Sequence, residues 1–227
     1  MDADKAKRFY SPALKAIIII AGVFGQAVSL RRGGFDSGAY FLYYTNISNI
    51  LVTLFSVIFL VLDLSARNRG EPLTLPRWLL TVRFTLTAGI LLTFAVFSLL
   101  LIPTVSLSYL ASPANLLVHN LVPLLACLDF ILFRHTWEEK QPLLPGLALP
   151  FIYFAFIMAL TFSGVRFNGQ AVPYYFLDFR ANGWFTAGAG TLGVFWWLLI
   201  LGALTTLLAY ILRGLQRLSA RREKIPI

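Results

Sequence analysis

Two side chains in this sequence have the makings of nucleophilic catalysis: Thr45 in YFLYYTNISNILVTLFS and His119 in PANLLVHNLVPLL. A threonine hydroxyl attacks weakly until a neighbouring base takes its proton, and a neutral imidazole suits that task near pH 7. Acyl transfer to such a hydroxyl also needs hydrogen-bond donors for the oxyanion. Asn46 and Asn49, beside Thr45, and Asn115, one turn before His119, carry amide N–H groups that could serve. Asn115 could instead orient a ring nitrogen, since it shares a helical face with the histidine. Thr45, Ser48, Asn49, Thr53 and Ser56 recur at three- and four-residue spacing and draw a polar stripe down one helical face. Hydroxyls of this kind also hold transmembrane helices together. That accounts for Thr53 and Ser56 more easily than for the Thr45–Asn49 turn, and a packed histidine bonded to a neighbouring helix would account for His119 alone.

The elements that must position these residues follow from composition. Of 227 residues 58% are hydrophobic and only 13% charged, with a mean hydropathy of +0.76. Soluble domains carry about a quarter charged residues, so the chain reads as an all-α polytopic membrane protein and not as a soluble enzyme or a nucleic-acid binder. Stretches of roughly 20 apolar residues occur six times, at 12–30, 40–62, 79–102, 113–133, 143–163 and 189–212. They predict one six-helix domain over 1–227, with turn-rich breaks such as RRGGFDSG and ARNRGEPLTLP between the spans. The charged start MDADKAKRFYSPALK is not followed by a small-residue cleavage site, so the first span is expected to be retained. The single cysteine, Cys127, excludes an internal disulfide and reads as an apolar filler. No metal site or cofactor is expected.

Charge sets the orientation. With six spans both termini share a side. Fourteen of the nineteen Lys and Arg residues fall there, among them Lys5, Lys7, Arg8, Lys15, Arg134, Lys140 and Lys224. Arg31, Arg32, Arg166 and Arg180 fall opposite, and Arg83 lies within a span. Both termini are expected to face the cytoplasm. The basic tail RGLQRLSARREK then anchors the last span against anionic headgroups, and His135 is expected in a solvated loop.

Ionisable groups inside spans are costly and point to function by default. Counting about 1.5 Å per residue, Arg83 and Asp129 share a depth near the inner face. An ion pair between neighbouring helices is one reading of them, and a proton or ion relay is the other. Thr45 and His119 share a depth near the outer face, roughly 8–9 Å in. Pro123 lacks an N–H and leaves the His119 carbonyl without its usual partner, which predicts a local kink. Asn46 opens an N-I-S sequon, but at this depth glycosylation is not expected. Asp129 is about 15 Å along the helix from His119 and cannot complete a triad.

Three stretches carry a family resemblance. FLYYTNISNILVTLFSVIFLVLDLS, HNLVPLLACLD and VPYYFLDF occur in the order and spacing seen in the androgen-induced-gene family of six-span membrane hydrolases, which this sequence resembles, as it does predicted six-span bacterial proteins related to them. The proline–tyrosine order is reversed at Pro173-Tyr174 and the histidine-to-proline spacing is one residue shorter. The resemblance implies a threonine nucleophile at Thr45, a catalytic histidine at His119 and hydrolysis of fatty-acid esters of hydroxy fatty acids. On the residues themselves, Tyr174, Tyr175, Phe176 and Phe179 suit an interfacial belt or a cap over a lipid-filled cavity, Ser48 a supporting position, and Asp178 a solvated charge or a partner for Arg180.

The leading expectation is therefore an intramembrane ester hydrolase using a Thr45–His119 dyad, with a lipid or fatty-acyl ester as substrate, membrane lipids as partners and no nucleic acid. A solute or proton transporter or channel subunit is the rival and predicts a water route reaching Arg83 and Asp129. A scaffold using the same residues to join helices is the third reading. A bacterial plasma membrane is expected, with the endoplasmic reticulum as the alternative.

Overall fold

Among the described residues six helices are long and apolar enough to cross a membrane, and they make up most of the chain. The computed structural model describes residues 3–33, 38–71, 73–132, 143–188 and 190–223. Arg134, His135, Lys140 and Lys224 lie outside the described residues, as do the side chains of Lys5, Lys7, Arg8, Arg32, Arg221 and Arg222. The helices are α1 (Ala3–Gly33), α2 (Tyr44–Asn68), α3 (Arg77–Leu101), α4 (Pro113–Leu132), α5 (Leu144–Phe162) and α6 (Val194–Glu223). Each contains most of one expected span. The largest differences are at the ends. Helix α2 runs past its apolar stretch to Asn68, where Asp63 and Arg67 pair one turn apart at 2.9 Å. It then stops on a Schellman turn, with Gly70 left-handed (φ 69°), its N–H on Arg67 and the Glu71 N–H on Ala66. Helix α6 starts at Val194 and not at residue 189, because Gly188 and Gly190 turn a short hairpin pairing β1 (Ala187–Gly188) with β2 (Thr191–Leu192).

Helix α3 is the centre of the bundle and packs against α2, α4, α5 and α6, while α1 packs against α2 and α4. Its sequence explains why: after Arg83 it carries no charge and is apolar all round, so Phe84, Ala88 and Ile90 are completely buried. Outward faces of the other helices expose Ile20, Phe24, Leu54, Phe151 and Leu207, a surface that only lipid can cover. Lipid tails are as apolar as leucine, so helix association here depends on close contact and hydrogen bonds. Gly22 of α1 lies so close to Thr53 of α2 that a Cβ would overlap its side chain. Ser48 of α2 meets Thr93 of α3 at 2.8 Å, and the Tyr44 hydroxyl donates to the Gly89 carbonyl at 3.0 Å.

Two features depart from plain helix. Residues Phe97–Leu101 at the end of α3 and Leu116–Leu121 within α4 are π-helical. In α4 the Val122 N–H reaches back to Leu117, immediately before Pro123, which cannot donate at all. The expected irregularity beside His119 thus takes the form of a π-bulge. The other feature is the α5–α6 connection. Asn168 and Gly169, both at positive φ, turn it back between Phe167 and Gln170. Phe167, Val172, Phe176 and Leu177 then bury themselves in the main core.

Candidate active site

Thr45 sits in the first turn of α2, just after the extended Tyr43 that begins the helix. His119 projects from the π-bulge of α4. The two meet across the bundle, with Thr45 Oγ1 3.4 Å from His119 Nε2. That is a long contact for an O–H···N bond, and catalytic contacts of this kind commonly tighten only when substrate binds. The imidazole is 6% exposed and stacks on Phe97 with ring centroids 4.0 Å apart. Both π-bulges therefore converge on this histidine: one carries it, the other carries the ring that covers it. For Nε2 to accept from Thr45, Nδ1 must hold the proton. It turns toward the Asn115 carbonyl one turn earlier, short of good hydrogen-bond geometry.

Thr45 opens onto a chamber between α2, α3, α5, α6 and the α5–α6 connection, with about 750 Å³ of empty space including its mouth. The walls are aliphatic and aromatic, including Val96, Phe97, Phe154, Leu198 and Leu201. Several polar groups in the wall are already committed: the Tyr153 hydroxyl donates to Leu42, Tyr44 to Gly89 and Thr205 to Leu201. Thr45 presents a hydroxyl to this space with a base behind it.

The asparagines do something other than expected. Asn49 spends both Nδ2 hydrogens, on the Thr45 carbonyl (2.8 Å) and the Val118 carbonyl (2.9 Å). Asn46 donates to the Tyr40 carbonyl at 2.7 Å and Asn115 to the Leu110 carbonyl at 2.9 Å. None of the three lines the chamber. The expected oxyanion donors are instead ties that fix α2, α4 and their approaches, because buried backbone carbonyls accept from any amide in reach. The Asn115 side chain does not reach the ring, since its amide is spent on Leu110. Ser48 takes the supporting position expected of it, bonded to Thr93 and to the Thr45 carbonyl at 3.1 Å. Asn46 is buried and bonded, so its sequon is sterically closed.

The aromatic stretch divides. Tyr175 is 49% exposed and faces outward. Phe176 is buried, which corrects its expected belt position, and with Tyr174 it lines the chamber as a cap. The two rings stack at 5.2 Å, and Tyr43 meets the Tyr174 ring edge-on. Burial pushes the Tyr174 phenol up to about 12, partly offset by contact with the Thr45 hydroxyl and the N–H groups of Thr45 and Tyr44. Asp178 caps the short turn Phe179–Asn182 through the N–H groups of Arg180 and Ala181.

A second cluster lies near the opposite end of the bundle. Arg83 and Asp129 form the expected ion pair at 2.8 Å. Lys15, counted from the sequence only among the charges of the cytoplasmic side, is 1% exposed and joins Asp129 at 2.9 Å. Its ammonium also donates to Ser11 Oγ, and Ser11 donates to Asp63 at 2.6 Å, which pairs with Arg67. Four helices are thus tied by one network. The only sequence signals for Lys15 and Asp63 are their positions just inside an apolar stretch and their i, i+4 partners Ser11 and Arg67. A small cavity of about 300 Å³ beside Arg83 and Asp129 shares no lining residue with the Thr45 chamber.

No family model matches the chain, and no curated protein or solved structure matches it.

Proposed function

We propose that this integral membrane protein is a hydrolase of lipid-like esters that works through Thr45 and His119. The observation that carries the reading is the 3.4 Å approach of the Thr45 hydroxyl to the His119 imidazole at the wall of an apolar chamber. An ester with a long acyl chain fits such a space, since the walls offer dispersion contacts and few uncommitted polar groups. His119 takes the Thr45 proton as Oγ1 attacks the ester carbonyl. The alcohol leaves with that proton, and water activated by His119 then frees the acid from Thr45. The resemblance noted in the sequence adds fatty-acid esters of hydroxy fatty acids as the substrate class.

The transporter reading asks for a continuous polar route joining the outer histidine to Arg83 and Asp129. The separation of the two cavities favours the hydrolase instead. The orientation with both termini cytoplasmic belongs to the same proposal and rests on charge bias, while a bacterial plasma membrane as the location rests on the compact loops between spans.

The test is labelling of the purified full-length protein with an alkyl fluorophosphonate. Wild type is expected to label, and Thr45→Ala and His119→Ala are expected to lose the label while remaining folded. Undiminished labelling of Thr45→Ala refutes the reading.

A further inference from the structure

The Asn46, Asn49 and Asn115 amides are committed to backbone carbonyls, which leaves the oxyanion of any acyl transfer at Thr45 without the donors the sequence suggested. The chamber supplies another. Tyr174 reaches it from the α5–α6 connection, with its ring stacked on Phe176 and edged by Tyr43. It lines the same wall of the chamber as Tyr44 and Thr45, near enough that the Thr45 hydroxyl and the N–H groups of Tyr44 and Thr45 lower its phenol against the effect of burial. Those N–H groups belong to the first turn of a 25-residue helix, where no intrahelical carbonyl is available to accept from them.

We infer that the Tyr174 hydroxyl, held between Thr45 Oγ1 and the first turn of α2, is the oxyanion donor of this site. The inference rests on the Thr45–His119 reading above and adds a catalytic residue to it. Set beside the first-turn N–H groups, the phenol oxygen can accept from them and its O–H can donate into the chamber that it lines. Accepting from a helix N-terminus strengthens an O–H as a donor, since hydrogen bonds in a chain polarise one another. As the Oγ1–carbon bond forms, the carbonyl π pair moves onto its oxygen, which accepts a hydrogen bond from the Tyr174 hydroxyl. The Thr45 proton passes to His119. When the tetrahedral adduct collapses, the carbon–alkoxy bond breaks and that proton leaves with the alcohol. Tyr174 keeps its own proton throughout, and the raised phenol described above keeps it a neutral donor at working pH.

The rigid neighbours matter as much as the hydroxyl. Phe176 and Tyr43 fix the ring on two sides, so removing the oxygen alone leaves the ring in place. Tyr174→Phe is therefore a shape-preserving test, and Tyr175→Phe is its control, because Tyr175 is half exposed and faces outward.

The experiment measures p-nitrophenyl laurate hydrolysis and the inhibition constant of a long-chain trifluoromethyl ketone, with the purified full-length protein in detergent micelles. Tyr174→Phe is expected to lower kcat about 10²–10³-fold, the usual effect of deleting one oxyanion donor. KM and the unfolding temperature are expected to stay near wild type, and ketone affinity to fall in parallel with kcat. Tyr175→Phe is expected to keep its kcat. If Thr45→Ala is inactive but Tyr174→Phe keeps kcat within about fivefold of wild type, the donor role falls and the dyad stands. If Thr45→Ala hydrolyses the ester like wild type, the dyad itself falls and the donor role with it. A Tyr174→Phe protein with lowered unfolding temperature and a KM change matching its kcat change has lost packing, which also overturns the inference. Should that variant not fold, difluorotyrosine at position 174 keeps the ring and alters donor strength, and an unchanged kcat then counts against the role.

Discussion

Asp129→Asn should destabilise this protein far more than Lys15→Met, although the two side chains form one ion pair. Asp129 is the acid that bridges Lys15 (2.9 Å) and Arg83 (2.8 Å), and its carboxylate is 9% exposed. Asparagine keeps the shape but removes the charge and turns an N–H donor toward two cations. Taking one partner from a buried pair costs about 3–5 kcal/mol, chiefly because the charge left behind has no compensation. Lys15→Met removes a charge without stranding one. Asp129 keeps Arg83 at 2.8 Å, and Asp63 keeps Arg67 at 2.9 Å and the Ser11 hydroxyl at 2.6 Å. What is lost is the set of ammonium hydrogen bonds to Asp129 and Ser11, and side-chain hydrogen bonds within membrane bundles are worth about 0.6–1.7 kcal/mol each. The buried lysine also no longer has to be desolvated, which offsets part of that loss. The expected order is about 3–5 kcal/mol for Asp129→Asn against about 2 kcal/mol or less for Lys15→Met. Reversible unfolding of the full chain in mixed micelles, titrated with a denaturing detergent, measures both. Equal costs within about 1 kcal/mol, or a larger cost for Lys15→Met, would refute the assignment of Asp129 as the hub of the network.

Tyr174 offers a pH test that needs no substrate. Its phenol is pushed from 10.0 to about 12 in the folded protein, so the folded state holds the proton more tightly than the unfolded chain. The sign follows: stability is complete below pH 10 and is lost as pH rises to about 12, by about 3 kcal/mol in all at roughly 1.4 kcal/mol per pH unit. Comparing unfolding of wild type and Tyr174→Phe across that window should show the steeper fall in wild type, and parallel curves would contradict it. Gly202 lines the chamber where a Cβ would meet open space, close to the half-exposed Phe151. Gly202→Trp should therefore lower kcat/KM for a long-chain p-nitrophenyl ester about tenfold or more and leave the acetate ester near wild type. An equal loss on both esters would show that the chain does not lie there.

How far the site was legible depended on whether its geometry followed from depth alone. Thr45 and His119 each sit a countable number of residues inside an apolar stretch, so the helical rise set their levels and adjacency of the helices did the rest. Arg83 and Asp129 were legible for the same reason. Lys15 was not, because a lysine near the end of an apolar stretch reads equally well as a headgroup anchor, and only packing against α2 and α4 decides otherwise. The asparagines were misread for a different reason. Residue type says that an amide can donate, but the Val118, Leu110 and Tyr40 carbonyls that claim these amides belong to other helices and turns. Tyr174 depended on a 31-residue connection folding back into the core on Phe167 and Phe176, and no periodicity in that segment announces the return.

The two polar clusters also divide the bundle mechanically. The ion network ties α1, α2, α3 and α4 to one another through charged groups that would be costly to separate. Helix α6 joins them near the same end, where Arg213 lies over the Phe84 ring at 4.7 Å and Gln216 donates to the Phe130 carbonyl. At the level of the chamber the contacts of α6 are of another kind, with Leu198, Leu201 and Gly202 facing Phe151 and Phe154 of α5 across empty space. Moving those side chains apart breaks no ion pair and exposes to lipid only groups that lipid solvates as well as protein does. The charged half of the bundle can therefore stay locked while the side chains around the chamber move apart.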